Sequence, residues 1–185
     1  EDGTYALNGA TTGAALLAVT RKTYEQGARY CIPTEDEWFK AAYHANDGAT
    51  ANYFGYPTSS NTVPSGVFDD PDPGNSANYD DMIDAPYYRT EAGEFELSAG
   101  AYGTYDQGGN VREWNEAVIL TDNRGLRGGS FDGGSDELGV DWRGCALPTA
   151  EDGYTGFRIV EIVPEPATLA ILAFGGLAAL RRRRP

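Results

Sequence analysis

The chain has very little of the two side chains that most often support metal-assisted or nucleophilic catalysis. Its 185 residues include one histidine, His44, and two cysteines, Cys31 and Cys145. A single imidazole excludes any centre that needs several histidines, such as a three-histidine iron or zinc site. Two cysteines allow one disulfide or two buried thiols, and the sequence leaves both alternatives open.

Basic residues are also scarce, and they are unevenly placed. The formal net charge is -14, but residues 163–185 carry a net charge of +3, so the remaining body carries -17. A body this acidic repels nucleic-acid backbones, and we expect no nucleic-acid partner. The charge suits an exported protein in a cation-rich medium or one that binds divalent cations, and a solvated acidic surface also explains it.

The end of the chain differs in composition from the body. Residues 166–180 carry no charge, and Ala167–Leu180 is apolar apart from Thr168 and two glycines. As a helix, 15 residues span about 22 Å, which is short of the roughly 30 Å hydrocarbon core of a bilayer. We expect an apolar C-terminal helix that anchors the chain transiently in the inner membrane. A C-terminal core helix is the alternative.

Two short motifs flank this apolar segment. Pro164, Glu165 and Pro166 precede it, and four arginines follow it directly: Arg181, Arg182, Arg183 and Arg184. A basic cluster stays on the cytoplasmic side of a membrane. This order of motifs resembles the PEP-CTERM sorting signal of bacteria that make exopolysaccharide. The resemblance implies export, recognition and cleavage by an exosortase near residues 164–166, and a final location at the cell surface or in the extracellular matrix.

Within the body, one helix is clearly indicated. Thr34 and Glu37 have the spacing of a capping box, and three consecutive acids, Glu35 to Glu37, would lie in the first turn, where the helix dipole favours them. Trp38, Ala41 and Ala42 share one apolar face. The pattern predicts a helix over residues 35–44. Leu16–Tyr24 is mixed and indicates a strand or a loop.

The middle of the chain indicates an ordered but irregular region. Residues 46–100 are rich in Asn, Asp, Gly, Pro, Ser and Tyr. A long stretch of this kind within a domain is usually functional or disordered. Its many tyrosines and asparagines can pack and satisfy backbone groups, which argues against disorder.

A glycine-rich motif with two acids follows this region. Asp106 and Glu113 are seven residues apart, with Asn110 between them and glycines at 108 and 109. Calcium takes several oxygen ligands, including backbone carbonyls, and glycine lets the backbone fold round an ion. The spacing is compatible with a calcium site, and a turn with solvated acids is the alternative.

Five segments together resemble the formylglycine-generating enzyme family, also called the sulfatase-modifying factor domain. They are Ile32–Trp38, Tyr53–Gly55, Gly103–Trp114, Leu126–Phe131 and Gly156–Arg158, and the resemblance spans about residues 28–160. It implies an α+β fold, irregular, similar to C-type lectins and low in regular secondary structure. We expect a domain over residues 1–162 whose N-terminal part is missing, followed by the sorting segment 163–185.

The resemblance also implies structural calcium. One site would use the side chain of Asp106, the carbonyls of Gly109 and Val111, and the carboxylate of Glu113. A second site would involve Asn78 and Tyr79, with Asp84 as a further partner; the residues of both sites are present in the chain.

The chain departs from the family at the position of its chemistry. Active members use two cysteines directly after Arg-Gly-Gly-Ser-Phe/Trp, where they bind copper(I) and oxidise a substrate cysteine. Copper(I) requires soft thiolate ligands. Here residues 131–138 contain no cysteine, so we expect no copper. One histidine also cannot supply the iron site of the ergothioneine-type branch.

These features support three hypotheses. The leading one is an exported, non-catalytic, calcium-stabilised module that binds exopolysaccharide or another surface ligand. The alternative is an oxidoreductase of the same superfamily with altered chemistry, and a purely structural matrix component is the third. Four side chains are candidates to line a ligand pocket: Ser130, Asp132, Asp136 and Arg143.

Overall fold

The computed structural model describes residues 3–49 and 51–163. Most of this part of the chain is turn, bend or irregular backbone, with short helices and strands between. The helices are α1 (Gly13–Leu17), α2 (Glu35–Tyr43) and a 3-10 helix (Ser135–Leu138). The strands are β1 (Tyr30–Cys31), β2 (Arg112–Ile119), β3 (Asn123–Arg127), β4 (Gly144–Ala146), β5 (Thr155–Gly156) and β6 (Val160–Glu161).

Helix α2 confirms the capping-box prediction. The Thr34 hydroxyl accepts a hydrogen bond from the backbone N–H of Glu37, and the Glu37 carboxylate accepts one from the N–H of Thr34. Both donors would otherwise lack a partner at the helix start. The helix ends at Tyr43, one residue earlier than predicted, because His44 adopts an extended conformation as the C-cap.

The first helix is a correction to the sequence reading. Leu16 and Leu17 belong to α1 and not to a strand or a loop. The side chain of Thr12 accepts a hydrogen bond from the N–H of Ala15, and this cap starts the helix. The remainder of the segment up to Tyr24 is irregular apart from an isolated bridge between Tyr5 and Arg21.

A four-stranded sheet has the order β4-β3-β2-β5. Strands β2 and β3 form an antiparallel hairpin, β4 pairs antiparallel with β3, and β5 pairs parallel with β2. A separate two-stranded sheet joins β1 to β6. Helices and sheets together therefore match the predicted α+β class with little regular structure.

Residues 51–100 form an irregular region in which no helix or extended strand is described, as the composition predicts. A buried carboxylate organises part of it. Asp72 is 3% exposed and accepts hydrogen bonds from the N–H groups of Gly74 and Leu97 and from the hydroxyl of Ser98. Burial alone raises the pKa of Asp72, but these hydrogen bonds outweigh it and lower the pKa below its usual value.

Packing around α2 forms the core. Trp38, Ala42 and Tyr43 are each at most 1% exposed, with Phe39 and Val140 packed against them. The Tyr43 hydroxyl lies 3.0 Å from the carbonyl of Leu138, so α2 is bonded directly to the 3-10 helix. Burial raises the pKa of Tyr43 above its ordinary value, and the hydroxyl stays protonated as a donor.

One carboxylate joins three parts of the fold. Glu113, on β2, accepts a hydrogen bond from the indole N–H of Trp38 at 2.6 Å. The same carboxylate forms an ion pair with Arg158, which follows β5, through contacts of 2.5 and 2.7 Å. Helix α2, strand β2 and the Gly156–Arg158 segment therefore meet at Glu113, which is 7% exposed.

One part of the sequence prediction falls on residues that the structure does not describe. The apolar C-terminal helix over 166–180 lies outside the described residues. Within 3–49 and 51–163, no helix is long and apolar enough to span a bilayer.

Substitution Glu113→Gln is expected to destabilise the fold by about 2–4 kcal/mol. The glutamine amide keeps an oxygen that can accept from the Trp38 indole, but it leaves the partly buried Arg158 without its counter-charge. Removing one partner of such an ion pair is strongly unfavourable. Urea unfolding at neutral pH measures the change in free energy of unfolding.

The matched control is Glu96→Gln, because Glu96 is exposed and has no ion pair among those described. Its stability should stay within about 0.5 kcal/mol of the parent. An equal effect of the two substitutions would contradict the assigned role of Glu113.

Candidate functional site

The segment after β3 is held in place by its backbone. The N–H of Gly109 donates to the carbonyl of Gly128 at 2.7 Å, and the N–H of Phe131 donates to the carbonyl of Asn110 at 2.9 Å. Gly128 has a φ of 96° and packs against the carbonyl of Gln107, where a Cβ would overlap it. Glycine is required there by both conformation and space.

This backbone presents residues 130–137, here called the 130–137 loop. Ser130 is fully buried, and its hydroxyl donates to the Asp132 carboxylate at 2.6 Å. Arg112 on β2 forms a bidentate ion pair with Glu137, with contacts of 2.9 and 3.1 Å, and its guanidinium is 4.0 Å from Asp132. Ser130 and Asp132, both sequence-predicted, thus share one cluster with Arg112 and Glu137.

The other two predicted pocket residues lie apart from that cluster. Asp136 is exposed on the 3-10 helix. Arg143 forms an ion pair with Glu35 at the start of α2, and Arg127 bonds the same carboxylate at 2.8 Å. Arg143 therefore ties the β4 side of the sheet to the helix, which is a structural contact.

Burial alone raises the pKa of Glu35, but the hydrogen bonds from Arg143 and Arg127 together outweigh it. The pKa of Glu35 consequently lies below its ordinary value. Arg127 also donates to the backbone carbonyls of Val140 and Trp142. These contacts fix the loop that leads from the 3-10 helix into β4.

Three aromatic rings lie beside the 130–137 loop and are here called the aromatic stack: Tyr88, Phe131 and Tyr154. Phe131 stacks on Tyr88 with a centroid distance of 5.5 Å and on Tyr154 with one of 5.3 Å. Phe131 is 7% exposed, whereas each tyrosine is 40% exposed. The guanidinium of Arg89 lies 5.9 Å from the Phe131 ring and donates to the carbonyl of Gly153. The stack therefore offers aromatic surface to solvent.

Both cysteines are free thiols, and neither belongs to this loop. Cys31 is buried on β1, and Cys145 lies on β4 opposite Gly125. Burial raises the pKa of the Cys31 thiol, against the opposing effect of the Arg21 guanidinium at 3.0 Å. A raised pKa disfavours the thiolate that nucleophilic or metal chemistry needs.

The first predicted calcium set has protein partners for its carboxylates. Both oxygens of Glu113 are bonded by Arg158 or Trp38, and Arg158 also donates to the backbone carbonyl of Asp106 at 3.1 Å. The Asp106 carboxylate accepts from the N–H of Gly93 at 2.6 Å. A guanidinium therefore already provides positive charge between Asp106 and Glu113, and this set fits an added cation poorly.

The second predicted set contains one oxygen atom without a protein partner. Asn78 is 1% exposed, and its side-chain oxygen has no hydrogen-bond partner. Its amide nitrogen donates to the carbonyl of Tyr88 and to the side-chain oxygen of Asn110. The Tyr79 carbonyl accepts from Met82, while Asp84 is exposed. Among the described residues, no group of three or more His, Cys, Asp or Glu side chains could hold a metal ion.

Sequence reasoning missed the ion pair and the aromatic stack. Arg112 occupies the position at which the family motif Gly-Asn-Val-Trp-Glu-Trp has its first tryptophan. A charged residue in place of this aromatic residue was the one sign in the sequence that an ion pair forms here. Tyr88 and Tyr154 are 66 positions apart, and no local pattern connects them. Only the fold brings them to Phe131.

Comparison with family models gives two matches that meet at Val163. The first is the sulfatase-modifying factor enzyme 1-like domain, over residues 6–163. The chain belongs to this family. The second is the PEP-CTERM protein-sorting motif, over residues 163–184, which implies export and processing by an exosortase.

Solved structures are similar to about three quarters of the chain. Treponema denticola variable protein 1 is 27% identical over 72% of this chain, with a TM-score of 0.49, and 48% of that protein is covered. CarF is 20% identical over 73%, with a TM-score of 0.48 and 48% of its own length covered. PvdO from Pseudomonas aeruginosa is 17% identical over 76%, with a TM-score of 0.48 and 55% covered.

The chain thus spans about half the length of these structures. A search of curated proteins gave no significant match.

Acid is expected to weaken the fold partly through Glu35. Its folded-state pKa is depressed, so its contribution to stability is present above the unfolded pKa of about 4.5 and is lost as the pH falls through the lower folded value. Glu35→Gln should lower stability at pH 7 and reduce the loss between about pH 6 and pH 3. Urea unfolding across this pH range measures both effects.

Glu151→Gln serves as the control, because Glu151 is exposed. This variant should keep the parental dependence of stability on pH. A Glu35→Gln profile parallel to that of the parent would show that the ion pairs of Glu35 do not contribute.

Proposed function

We propose that the protein is a non-catalytic binding module, exported and delivered by an exosortase to the cell surface or extracellular matrix. The observation that carries this proposal is the content of the 130–137 loop. In place of a cysteine pair it holds Asp132 and a glycine pair, with the Arg112–Glu137 ion pair beside them. In this proposal the segment 166–180 anchors the chain in the inner membrane until cleavage.

The loop lacks what the family's oxidation requires. That reaction depends on two thiolates at one place, whereas Cys31 and Cys145 lie on separate sheets, β1 and β4. A Cβ at position 133 would lie 2.5 Å from the Glu137 carboxylate, so a larger residue there would require the Glu137 side chain to move from its present position. Copper-dependent oxidation of a cysteine peptide clearly above a mock control would overturn the non-catalytic assignment and favour the altered oxidoreductase.

The ligand that this surface suits is a neutral polysaccharide. Sugar rings carry C–H groups on their faces, which pack on exposed aromatic rings such as Tyr88 and Tyr154. Asp132, the residue after Phe131, is exposed, and its carboxylate can accept hydrogen bonds from sugar hydroxyls. The acidic body disfavours polyanionic ligands, so a neutral polymer is the preferred class.

Substituting a stacked tyrosine should weaken binding to a neutral bacterial exopolysaccharide. Tyr154→Ala and Tyr88→Ala each remove exposed aromatic surface, and each should raise Kd about tenfold, a typical loss for an aromatic anchor. Affinity electrophoresis or calorimetry with the purified polymer measures the change.

Tyr102→Ala is the matched control, because Tyr102 is 39% exposed but contacts His44 instead of the stack. Its affinity should equal that of the parent. Equal losses for Tyr102 and Tyr154, or no binding of neutral polymers by the parent, would refute the aromatic stack as the ligand surface.

We further propose structural calcium, with Asn78, the Tyr79 carbonyl and Asp84 as the better of the two ligand sets. The unpartnered oxygen of the buried Asn78 side chain supports this set. Bound calcium would neutralise negative charge and join the turn after Asn78 to the neighbouring backbone. The set of Asp106, Gly109, Val111 and Glu113 remains a weaker proposal.

Removing calcium is expected to lower thermal stability. An ion that binds only the folded protein adds RT ln(1 + [L]/Kd) to stability, or about 2.7 kcal/mol at a hundredfold excess over Kd. Scanning calorimetry in EDTA should give a lower Tm than in about 1 mM calcium. Magnesium at equal ionic strength is the control, and an unchanged Tm would refute the site.

A further inference from the structure

The last part of the described chain presents three exposed apolar side chains, here called the C-terminal row: Phe157, Ile159 and Val163. They are 65%, 63% and 74% exposed, respectively. Residues 157–163 contain no turn or bend, and exposure alternates from one residue to the next, as in an extended segment with one face in solvent. The three side chains therefore point to solvent from the same face.

Contacts on the other face fix the orientation of this row. Arg158, within the same segment, points inward, where its guanidinium bonds the Glu113 carboxylate. Strand β6 pairs with β1, so Tyr30 lies directly opposite Glu161, and residues opposite each other share one face of a sheet. Tyr30 is 57% exposed and adds an aromatic ring to the surface of the row.

The C-terminal row lies directly before the sorting segment. The PEP-CTERM motif matches from Val163 onward, and the Pro-Glu-Pro sequence occupies residues 164–166. The N–H of Ile162 donates to the carbonyl of Arg29 at 2.7 Å, so the chain is bonded to the domain up to that residue. The three residues after Val163 reach at most about 11 Å in any conformation. A protein that holds residues 164–166 in its active site is therefore brought against the folded domain.

Glu161 favours a protein over a lipid surface as the partner of this row. It is exposed on the same face, between Ile159 and Val163. A carboxylate in the apolar region of a bilayer is costly. A protein interface can bury the apolar side chains and leave the carboxylate at its solvated rim, since interface rims are polar and accessible to water.

We propose that the C-terminal row is a docking surface for the exosortase that processes the chain. The protease holds residues 164–166, and an apolar area beside its active site packs on Phe157 and Ile159. Recognition then depends on the folded domain as well as on the short sorting motif. This inference rests on the proposed processing by an exosortase, and it does not rest on ligand binding at the aromatic stack.

The test measures cleavage of the full chain by the exosortase of its source organism. Both proteins are purified and combined in vesicles of phosphatidylethanolamine and phosphatidylglycerol, and gel electrophoresis gives the initial rate at which the shorter product forms. Phe157→Ser and Ile159→Ser should each slow cleavage about tenfold at limiting substrate, the effect expected when a central interface contact is truncated. Both residues precede the sorting motif, which stays intact.

Leu147→Ser is the matched control, because Leu147 is 52% exposed and follows β4, at the opposite edge of the sheet from β5. It should be cleaved at the parental rate. Circular dichroism establishes that the variants fold. A second readout keeps the row apolar: Ile159→p-benzoylphenylalanine should crosslink to the exosortase on irradiation, whereas Leu147→p-benzoylphenylalanine should not.

Equal cleavage rates for the parent and both folded serine variants of the row would overturn the proposal. Crosslinks from position 159 to lipid only, to a second copy of the chain only, or to nothing would also overturn it, and the first would assign the row to the membrane surface. A parent chain that is not cleaved would refute delivery by an exosortase together with this docking surface. Cleavage that is insensitive to the row would refute the docking surface alone.

Discussion

The ion pair between Glu113 and Arg158, with the indole of Trp38 on the same carboxylate, is the contact on which the remainder of the structure depends. A carboxylate that is 7% exposed requires charge and hydrogen bonds at once, and removing either partner leaves a buried group unsatisfied. Because the three residues come from α2, β2 and the segment after β5, this requirement positions helix and sheet together. The described helices and strands are few and short, so contacts between them alone do little to fix their relative positions.

The position of the 130–137 loop depends on the preceding residue of the same strand, Arg112. Side chains alternate across a strand, so Arg112 points away from the side on which Glu113 contacts the core. Arg112 reaches Glu137 and brings the 130–137 loop against β2. One dipeptide therefore contributes both the internal anchor and the support of the loop. In this chain that loop carries an ion pair and acids where active relatives carry thiols.

The aromatic stack is the surface that we propose to bind a ligand. It exposes the rings of Tyr88 and Tyr154 to solvent on either side of Phe131, and this exposed aromatic area is the basis for proposing a hydroxyl-rich polymer as the ligand. The family match over residues 6–163 and the sorting motif that follows place this surface on an exported protein.

Local patterns determined what depends on neighbours in the chain: the capping box of α2, the irregular middle region, the family motifs and the sorting signal. Sequence spacing also placed Asp106 near Glu113, but it could not show that Arg158 lies between them. Nor could it show the stacking of Tyr88 and Tyr154 on Phe131. Those features depend on residues far apart in sequence, and only tertiary packing decides which of them meet.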